Sequence, residues 1–208
     1  IITFDAHDPR VNNAIPRQGF DNVQAAYQMI KALLKTVPDI KLDRDHTMIV
    51  SPDEGGMGRC IYYSSVLGLE LGMFYKRRNY SVIVNGRNPI EAHEFLGNDI
   101  TGKDLILVDD MISSGESMLD IAAKLKEKGA GRIFIFSTFG LFVEGLEKFD
   151  EYYEKGLIDK IFTTNLIYQP KELLERINYI KTGSFKEELK TTVKPFVGST
   201  NQEFRRLR

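Results

Sequence analysis

Hydrophobic residues along the chain alternate between short β-type runs and longer stretches with helical spacing. Compact apolar runs predict strands, and apolar residues spaced by three and four predict amphipathic helices. The predicted strands are residues 47–51, 72–75, 105–108, 133–137 and 161–164. The predicted helices are residues 22–37, 58–71, 116–128 and 141–155, which end near Gly, Pro or Lys. This alternation predicts an α/β fold with a mostly parallel sheet flanked by helices.

Three other stretches shape the expected organisation. Residues 1–7 read as a strand running into a polar loop, and the chain lacks an initiating Met, so we expect that an upstream N-terminal domain is missing. Residues 76–102 mix charged residues with Asn, Gly and Pro around a strand signal at 80–84, which predicts a flap excursion from the sheet. We expect one domain over residues 1–208, with a polar, solvated tail at 194–208.

Composition narrows the classes of protein and partner. The chain has 208 residues, of which 42% are hydrophobic, and this is enough for a buried core. Its 28 Lys and Arg nearly balance 29 Asp and Glu, so no overall field attracts nucleic acid or an anionic membrane. No apolar run approaches the ~20 residues of a membrane span. The single cysteine, Cys60, cannot form an internal disulfide, and we expect a soluble, cytoplasmic protein.

An acidic pair follows the predicted strand 105–108 and leads into a helix. The carboxyl ends of strands in an open α/β sheet border the ligand crevice, so Asp109 and Asp110 are placed to accept hydrogen bonds from sugar hydroxyls or to hold Mg²⁺. The next loop offers backbone N–H groups and hydroxyls at a helix N-terminus, which favours an anion. Its residues are Ser113, Ser114, Gly115, Glu116 and Ser117. The string predicts a site for a diol and a phosphate; the alternative is that Asp110 or Ser113 caps the helix.

Two further stretches place carboxylates and glycines near strand ends. After Asp53, Gly55 and Gly56 permit a backbone turn close enough to contact a phosphate chain, although plain turns also use this pair. Asp5 and His7 face the same way by the period of two of a strand, so they could bind one hard cation. A surface histidine is the alternative interpretation of His7.

Three basic residues, Lys76, Arg77 and Arg78, stand where a predicted strand leaves the sheet for the flap. Phosphoryl transfer needs cations that close over the charge developing on the transferred group, and a mobile segment can supply them. An ordinary solvated cluster is the alternative.

Taken together, these motifs resemble the ribose-phosphate diphosphokinase family. Residues 108–117 are similar to the phosphoribosyl-diphosphate loop of type I phosphoribosyltransferases and of ribose-phosphate diphosphokinases. Asp5-Ala-His near Ile15-Pro16, Ser51-Pro-Asp-Glu-Gly-Gly and Lys76-Arg-Arg occur in the order that the diphosphokinases show. The chain therefore resembles the C-terminal portion of that family, with a type I phosphoribosyltransferase-like fold.

The resemblance implies an activity and a set of site residues. The activity is Mg²⁺-dependent transfer of the diphosphoryl group of ATP to the 1-hydroxyl of ribose 5-phosphate by a homo-oligomer. The implied catalytic residues are Lys76 and Arg78. The residues implied to bind ribose 5-phosphate are Asp109, Asp110, Ser113, Ser114, Gly115, Glu116 and Ser117. The residues implied to bind the diphosphate and ATP are Asp53, Gly55, Gly56 and Arg59, and those implied to bind the metal are Asp5, His7 and Asp53. The alternative interpretation of Arg59 is an ordinary surface residue.

The chain departs from the family pattern at several positions. Ala14 stands where an acidic residue precedes the Ile-Pro, Asn79-Tyr80 replaces Pro-Arg in the flap, and Glu116 occupies a position where Gly is common. A carboxylate beside a phosphate repels it unless the side chain points away, so we expect Glu116 to contribute its backbone N–H alone. A nucleobase phosphoribosyltransferase and a non-catalytic regulatory homologue are the alternative functions.

Overall fold

The computed structural model describes residues 1–78, 90–164, 166–168, 179–182 and 203–206. The helices are α1 (Ala26–Thr36), α2 (Met57–Leu67), α3 (Glu116–Glu127) and α4 (Glu147–Glu154), with a 3₁₀ helix at Pro9–Ala14. The strands are β1 (Ile2–Phe4), β2 (Asp21–Val23), β3 (Thr47–Ser51), β4 (Glu70–Arg78), β5 (Ile90–Leu96), β6 (Asp104–Ile112), β7 (Ile133–Gly140), β8 (Lys160–Thr163), β9 (Tyr179–Thr182) and β10 (Glu203–Arg206). No helix in these described stretches is both long and apolar enough to cross a membrane.

A six-stranded sheet in the order β5-β4-β3-β6-β7-β8 forms the centre of the fold. All neighbouring strands in it are parallel except β4 and β5, which confirms the predicted mostly parallel sheet. Leu105 and Leu107 of β6 pack in the same cluster as Leu119 of α3. Ile106 and Val108, on the other face, join the cluster that contains residues of α1 and α2. Because both faces are covered, the central strands read as continuous apolar runs.

Two predicted helices begin or end at different residues in the structure. The helix predicted from residue 22 begins at Ala26, because residues 21–23 form β2 and pair in parallel with β1. The helix predicted over 58–71 ends at Leu67, because Gly68 adopts a left-handed φ of 68° and closes it. Leu69 is buried, and β4 begins at the next residue. In the first case strand pairing sets the helix boundary, and in the second a glycine does. The spacing of apolar residues indicates neither.

The predicted flap excursion is flanked by β4 and β5, which form an antiparallel pair at the edge of the sheet. β4 extends to Arg78, and β5 pairs with it so that Lys76 lies opposite His93. The strand signal at 80–84 lies outside the described residues. Residues 203–206, predicted as part of the polar tail, form β10 and pair antiparallel with β9.

Candidate functional site

The acidic pair lies inside β6 rather than in the loop after it. β6 continues to Ile112, and Asp109 pairs in register with Ser137 of β7. The Asp110 side chain is 4% exposed, and its Oδ2 lies 2.9 Å from Nδ1 of His7. The Asp110 backbone N–H donates to Oδ1 of Asp109 at 2.9 Å. Since the strand itself holds both residues, the two carboxylates are fixed by the sheet.

The environments of the two carboxyls separate their pKa values. Burial, together with the hydrogen bond to Asp110, raises the pKa of Asp109 to about 7. Burial opposes ionisation of Asp110 too, but hydrogen bonds with Asp109 and His7 outweigh it and lower the pKa of Asp110. The hydrogen bond to Asp110 in turn raises the pKa of His7. The pair therefore favours a partner that brings positive charge or hydrogen-bond donors to Asp109.

A glycine turn joins the acidic pair to the start of α3. Gly115 is the N-cap of α3 with φ of 85° and has no side chain to cap the helix, while Ser114 Oγ accepts from the Glu116 N–H at 3.4 Å. The alternative in which Asp110 or Ser113 caps this helix is therefore wrong. A Cβ at Gly115 would collide with the ring of Phe149, which leaves room only for glycine. The helix N-terminus behind this turn presents backbone N–H groups, as a phosphate site requires.

The segment after β7 forms a second wall along the loop. The backbone N–H of Leu141 donates to the Ile112 carbonyl at 2.8 Å, and that of Val143 donates to the Ser113 carbonyl at 3.1 Å. These bonds explain why the predicted helix 141–155 begins only at Glu147: its first residues pair with the end of β6.

The turn after β3 lies beside the end of β6. Ser51 Oγ donates to the Asp53 carbonyl at 2.7 Å, and the Gly56 N–H donates to Asp53 Oδ1 at 3.2 Å. A Cβ at Gly56 would meet Ser51 Oγ at 2.9 Å and the Val108 carbonyl at 3.6 Å, so glycine lets the two loops approach. A Cβ at Gly55 would lie 3.2 Å from Asp53 Oδ1. The structure thus brings Asp53, Gly55 and Gly56 to the same edge as the acidic pair.

Asp5 and Arg59 form a buried ion pair at this edge. Arg59 Nε donates to both carboxylate oxygens of Asp5, at 2.8 and 2.9 Å, and Thr138 Oγ1 donates to Asp5 Oδ2 at 2.6 Å. The Arg59 side chain is 7% exposed, and its Nη1 lies 3.8 Å from Asp109 Oδ1. The guanidinium therefore binds Asp5 directly and adds positive charge beside Asp109.

The expectation that Asp5 and His7 face the same way is wrong. β1 ends at Phe4, and Asp5 has a left-handed φ of 40°, so the period of two does not extend to His7. Asp5 is buried, whereas the His7 side chain is 78% exposed and contacts Asp110. Their assignment as joint metal ligands stays a prediction, without the geometric reason first given for it.

The acidic pair fits a magnesium ion better than Asp5 does. Within the described residues, no group of three or more His, Cys, Asp or Glu is arranged to hold a metal ion. Mg²⁺ commonly uses one or two carboxylates and completes its shell with water and substrate phosphates. Asp109 lies next to Asp110, and its burial makes the charged carboxylate unfavourable unless a cation or hydrogen-bond donor accompanies it. Asp5 fits less well because Arg59 and Thr138 already occupy its oxygens.

Lys76 and Arg78 lie on β4, next to β3 in the sheet. Their side chains lie outside the described residues, and their catalytic role stays a prediction. Sequence reasoning missed two contacts of candidate residues: Thr138 Oγ1 donates to Asp5, and Lys148 Nζ donates to Glu116. Thr138 stands near the carboxyl end of β7, a position that could have signalled it, whereas Lys148 is on α4 and carries no sequence signal.

Comparison with known proteins decides the family. Residues 81–193 match the model of the phosphoribosyl synthetase-associated domain. The chain belongs to this family. It is 32% identical over 170 residues to the ribose-phosphate pyrophosphokinase of Ureaplasma parvum, covering 80% of the chain and 47% of that protein. It is 30% identical over 171 residues to the ribose-phosphate pyrophosphokinase of Thermococcus kodakarensis, covering 82% and 54%.

A solved member of the phosphoribosyl synthetase group shares the fold. The crystal structure of phosphoribosylpyrophosphate synthetase from Mycobacterium smegmatis superposes with a TM-score of 0.63 and 22% identity, covering 83% of this chain and 51% of that one. The chain spans about half the length of the curated relatives it matches. The resemblance expected from the sequence motifs is confirmed at the level of family and fold.

Proposed function

We propose that the chain carries the sugar-phosphate site of a Mg²⁺-dependent ribose-phosphate diphosphokinase. In this reaction the 1-hydroxyl of ribose 5-phosphate attacks the β-phosphorus of ATP, the bond from that phosphorus to the α-phosphate oxygen breaks, and phosphoribosyl diphosphate and AMP form. One observation carries the proposal: in a chain of this family, a fixed acidic pair on β6 runs directly into a glycine turn at the N-terminus of α3.

The proposed site recognises the two ends of the sugar phosphate by different chemistry. Asp109 and Asp110 accept hydrogen bonds from the ribose 2- and 3-hydroxyls, which relieves the burial of the Asp109 carboxylate. The N–H groups and hydroxyls of residues 113–117 hold the 5-phosphate, and the helix dipole adds to the attraction. Held at both ends, the sugar presents its 1-hydroxyl in one orientation, which lowers the entropic part of the barrier.

The triphosphate of ATP is proposed to lie along the turn of Asp53, Gly55 and Gly56. That turn is adjacent to the end of β6, close to where the 1-hydroxyl would point. Mg²⁺, held by Asp109 and Asp110 together with phosphate oxygens, would supply positive charge against the phosphates. Arg59 stays a proposed contact of the phosphates: its Nε binds Asp5, and its Nη1 lies 3.8 Å from Asp109 Oδ1. In this proposal the protein acts in the cytoplasm as a homo-oligomer.

Lys76 and Arg78 are proposed to stabilise the charge that develops on the transferred diphosphoryl group. Lys76→Ala should lower kcat by about 100-fold or more while the affinity for ribose 5-phosphate stays within about twofold. Lys128→Ala, at the far end of α3 and exposed, is the matched control and should leave kcat unchanged. Unchanged turnover in the Lys76 variant would refute this role.

Phosphorus NMR of the native-length protein mixed with ribose 5-phosphate, ATP and Mg²⁺ tests the reaction. Joint appearance of AMP and an anomeric diphosphate is the expected result. Intact ATP, or ADP alone, would contradict the diphosphokinase assignment. Release of pyrophosphate from phosphoribosyl diphosphate when a free base is added would instead assign a nucleobase phosphoribosyltransferase. Binding of the sugar phosphate without either reaction would assign a regulatory homologue.

A further inference from the structure

Glu116 places a carboxylate at the start of the proposed phosphate loop. It is the first residue of α3, directly after the Gly115 turn, and its side chain is 66% exposed. A negative charge in the first helical turn is favourable for the helix dipole, but it repels a phosphate bound at the same terminus. A site for a phosphate dianion therefore needs a way to offset this charge.

Lys148 of α4 supplies the offsetting charge. Its Nζ donates to Glu116 Oε1 at 2.9 Å and to Glu144 Oε2 at 3.0 Å. The hydrogen bond to Glu116 raises the pKa of Lys148, and the same bond lowers the pKa of Glu116. Glu116 and Glu144 carry two negative charges, and Lys148 carries one positive charge. Without Lys148 this cluster of three side chains would hold two carboxylates and no cation.

The position of Lys148 relative to the loop is set by packing rather than by the ion pair alone. Phe149, the next residue, is buried and packs against Gly115 in the turn. The backbone of the preceding segment donates to the carbonyls of Ile112 and Ser113. Since the start of α4 is attached to the loop at these points, the backbone of Lys148 is held beside the loop, and its side chain reaches Glu116.

We propose that Lys148 determines the affinity of the loop for a phosphate monoester by neutralising Glu116. The inference rests on the proposed function, because residues 113–117 must be the site of the 5-phosphate. Lys148 is 32 positions away from Glu116 in sequence, and it acts on the ligand through the Glu116 carboxylate. Lys148 is therefore a positioning residue that acts on the ligand through Glu116, and it takes no part in diphosphoryl transfer.

A double-mutant cycle tests the coupling between the two charges. The dissociation constant of ribose 5-phosphate is measured by isothermal titration calorimetry for the chain itself, Lys148→Met, Glu116→Gln and the double variant. Lys148→Met should bind about three- to tenfold more weakly, in the range expected for one exposed charge acting on a dianion. In the Glu116→Gln background the same substitution should weaken binding by a smaller factor, because Glu144 is then the one carboxylate of this pair left for Lys148 to offset.

Two controls separate this role from a structural one. Lys155→Met removes a lysine from a similar exposed pair with Glu151 beyond the last turn of the same helix, and it should leave affinity unchanged. Lys148→Arg keeps the charge and should restore affinity. The loss in Lys148→Met should also shrink at high salt, since exposed charges are screened beyond roughly 3 Å at 1 M, whereas a packing defect would persist.

The outcomes distinguish failure of the Lys148 role from failure of the proposed sugar-phosphate site. If the unmodified chain does not bind ribose 5-phosphate, the proposed site is wrong and the role of Lys148 is wrong with it. If the chain binds but Lys148→Met binds equally well, or loses as much in the Glu116→Gln background, the role of Lys148 alone is overturned.

Discussion

Replacing Asp109 by Asn should stabilise the protein while weakening its proposed site. Asn keeps the size of the side chain and its capacity to accept the Asp110 N–H, but it carries no charge. The Asp109 side chain is 29% exposed and lies beside a second carboxylate, so its ionised form is unfavourable in the folded chain. The substitution removes that unfavourable charge, and the ligand-free protein should unfold less readily.

The magnitude follows from the pKa shift and depends on pH. A rise in pKa from 3.8 to about 7 corresponds to an upper bound of ~4 kcal/mol at pH 8. Since the two neighbouring carboxyls share the shift, we expect about 2 kcal/mol of stabilisation by Asn at pH 8. The folded pKa is raised, so the unfavourable contribution is absent near pH 4, grows as pH rises towards 7, and is constant above it. At pH 5 the gain should be about 1 kcal/mol or less.

Urea unfolding at pH 5 and pH 8 measures this difference directly. Asp120→Asn, exposed on α3, is the control and should change the free energy of unfolding by less than about 0.5 kcal/mol at both values. Asp109→Asn should also bind ribose 5-phosphate more weakly. Equal stabilisation at the two pH values, or a loss of stability at pH 8, would show that Asp109 is not held in an unfavourable charged state.

Two further substitutions test the supports of the site. Gly115→Ala should cost about 2–4 kcal/mol, because it combines a left-handed φ with the Phe149 ring, whereas Gly68→Ala, left-handed but in open space, should cost about 1 kcal/mol. Urea unfolding measures both, and equal costs would exclude a steric role for Phe149. Arg59→Met should cost about 3 kcal/mol or more by leaving Asp5 buried without its cation, and adding Asp5→Asn should recover part of that loss. An unchanged unfolding free energy in Arg59→Met would contradict the buried ion pair.

The sheet was predictable because its strands carry their own signal. Strand 47–51 was predicted with the bounds that the structure shows, and the parallel order followed from alternation with helices. β1 and β2 were harder to predict from sequence, because each has three residues and is stabilised by pairing with a strand roughly twenty residues away. The start of α4 was misplaced for a related reason: residues 141–143 have helical apolar spacing but hydrogen-bond to the end of β6.

The candidate site was predictable as a set of motifs but not as a set of contacts. The acidic pair, the glycine turn and the proposed phosphate-binding residues 113–117 lie within one short stretch of sequence, so their order alone places them together. The partners of Asp5 are not contiguous: Arg59 is 54 residues away and Thr138 is 133 residues away. Apolar periodicity and local motifs carry no information on such pairings, which is why the ion pair between Arg59 and Asp5 was not predicted.

Titration of the ¹⁵N-labelled chain with ribose 5-phosphate, followed by amide NMR, tests the central claim most directly. The account predicts saturable shifts concentrated at residues 109–117, with ribose lacking the phosphate producing much smaller changes at 113–117. Saturable binding with no shifts in this segment, or no binding at millimolar ribose 5-phosphate, would contradict the assignment of the loop as the sugar-phosphate site.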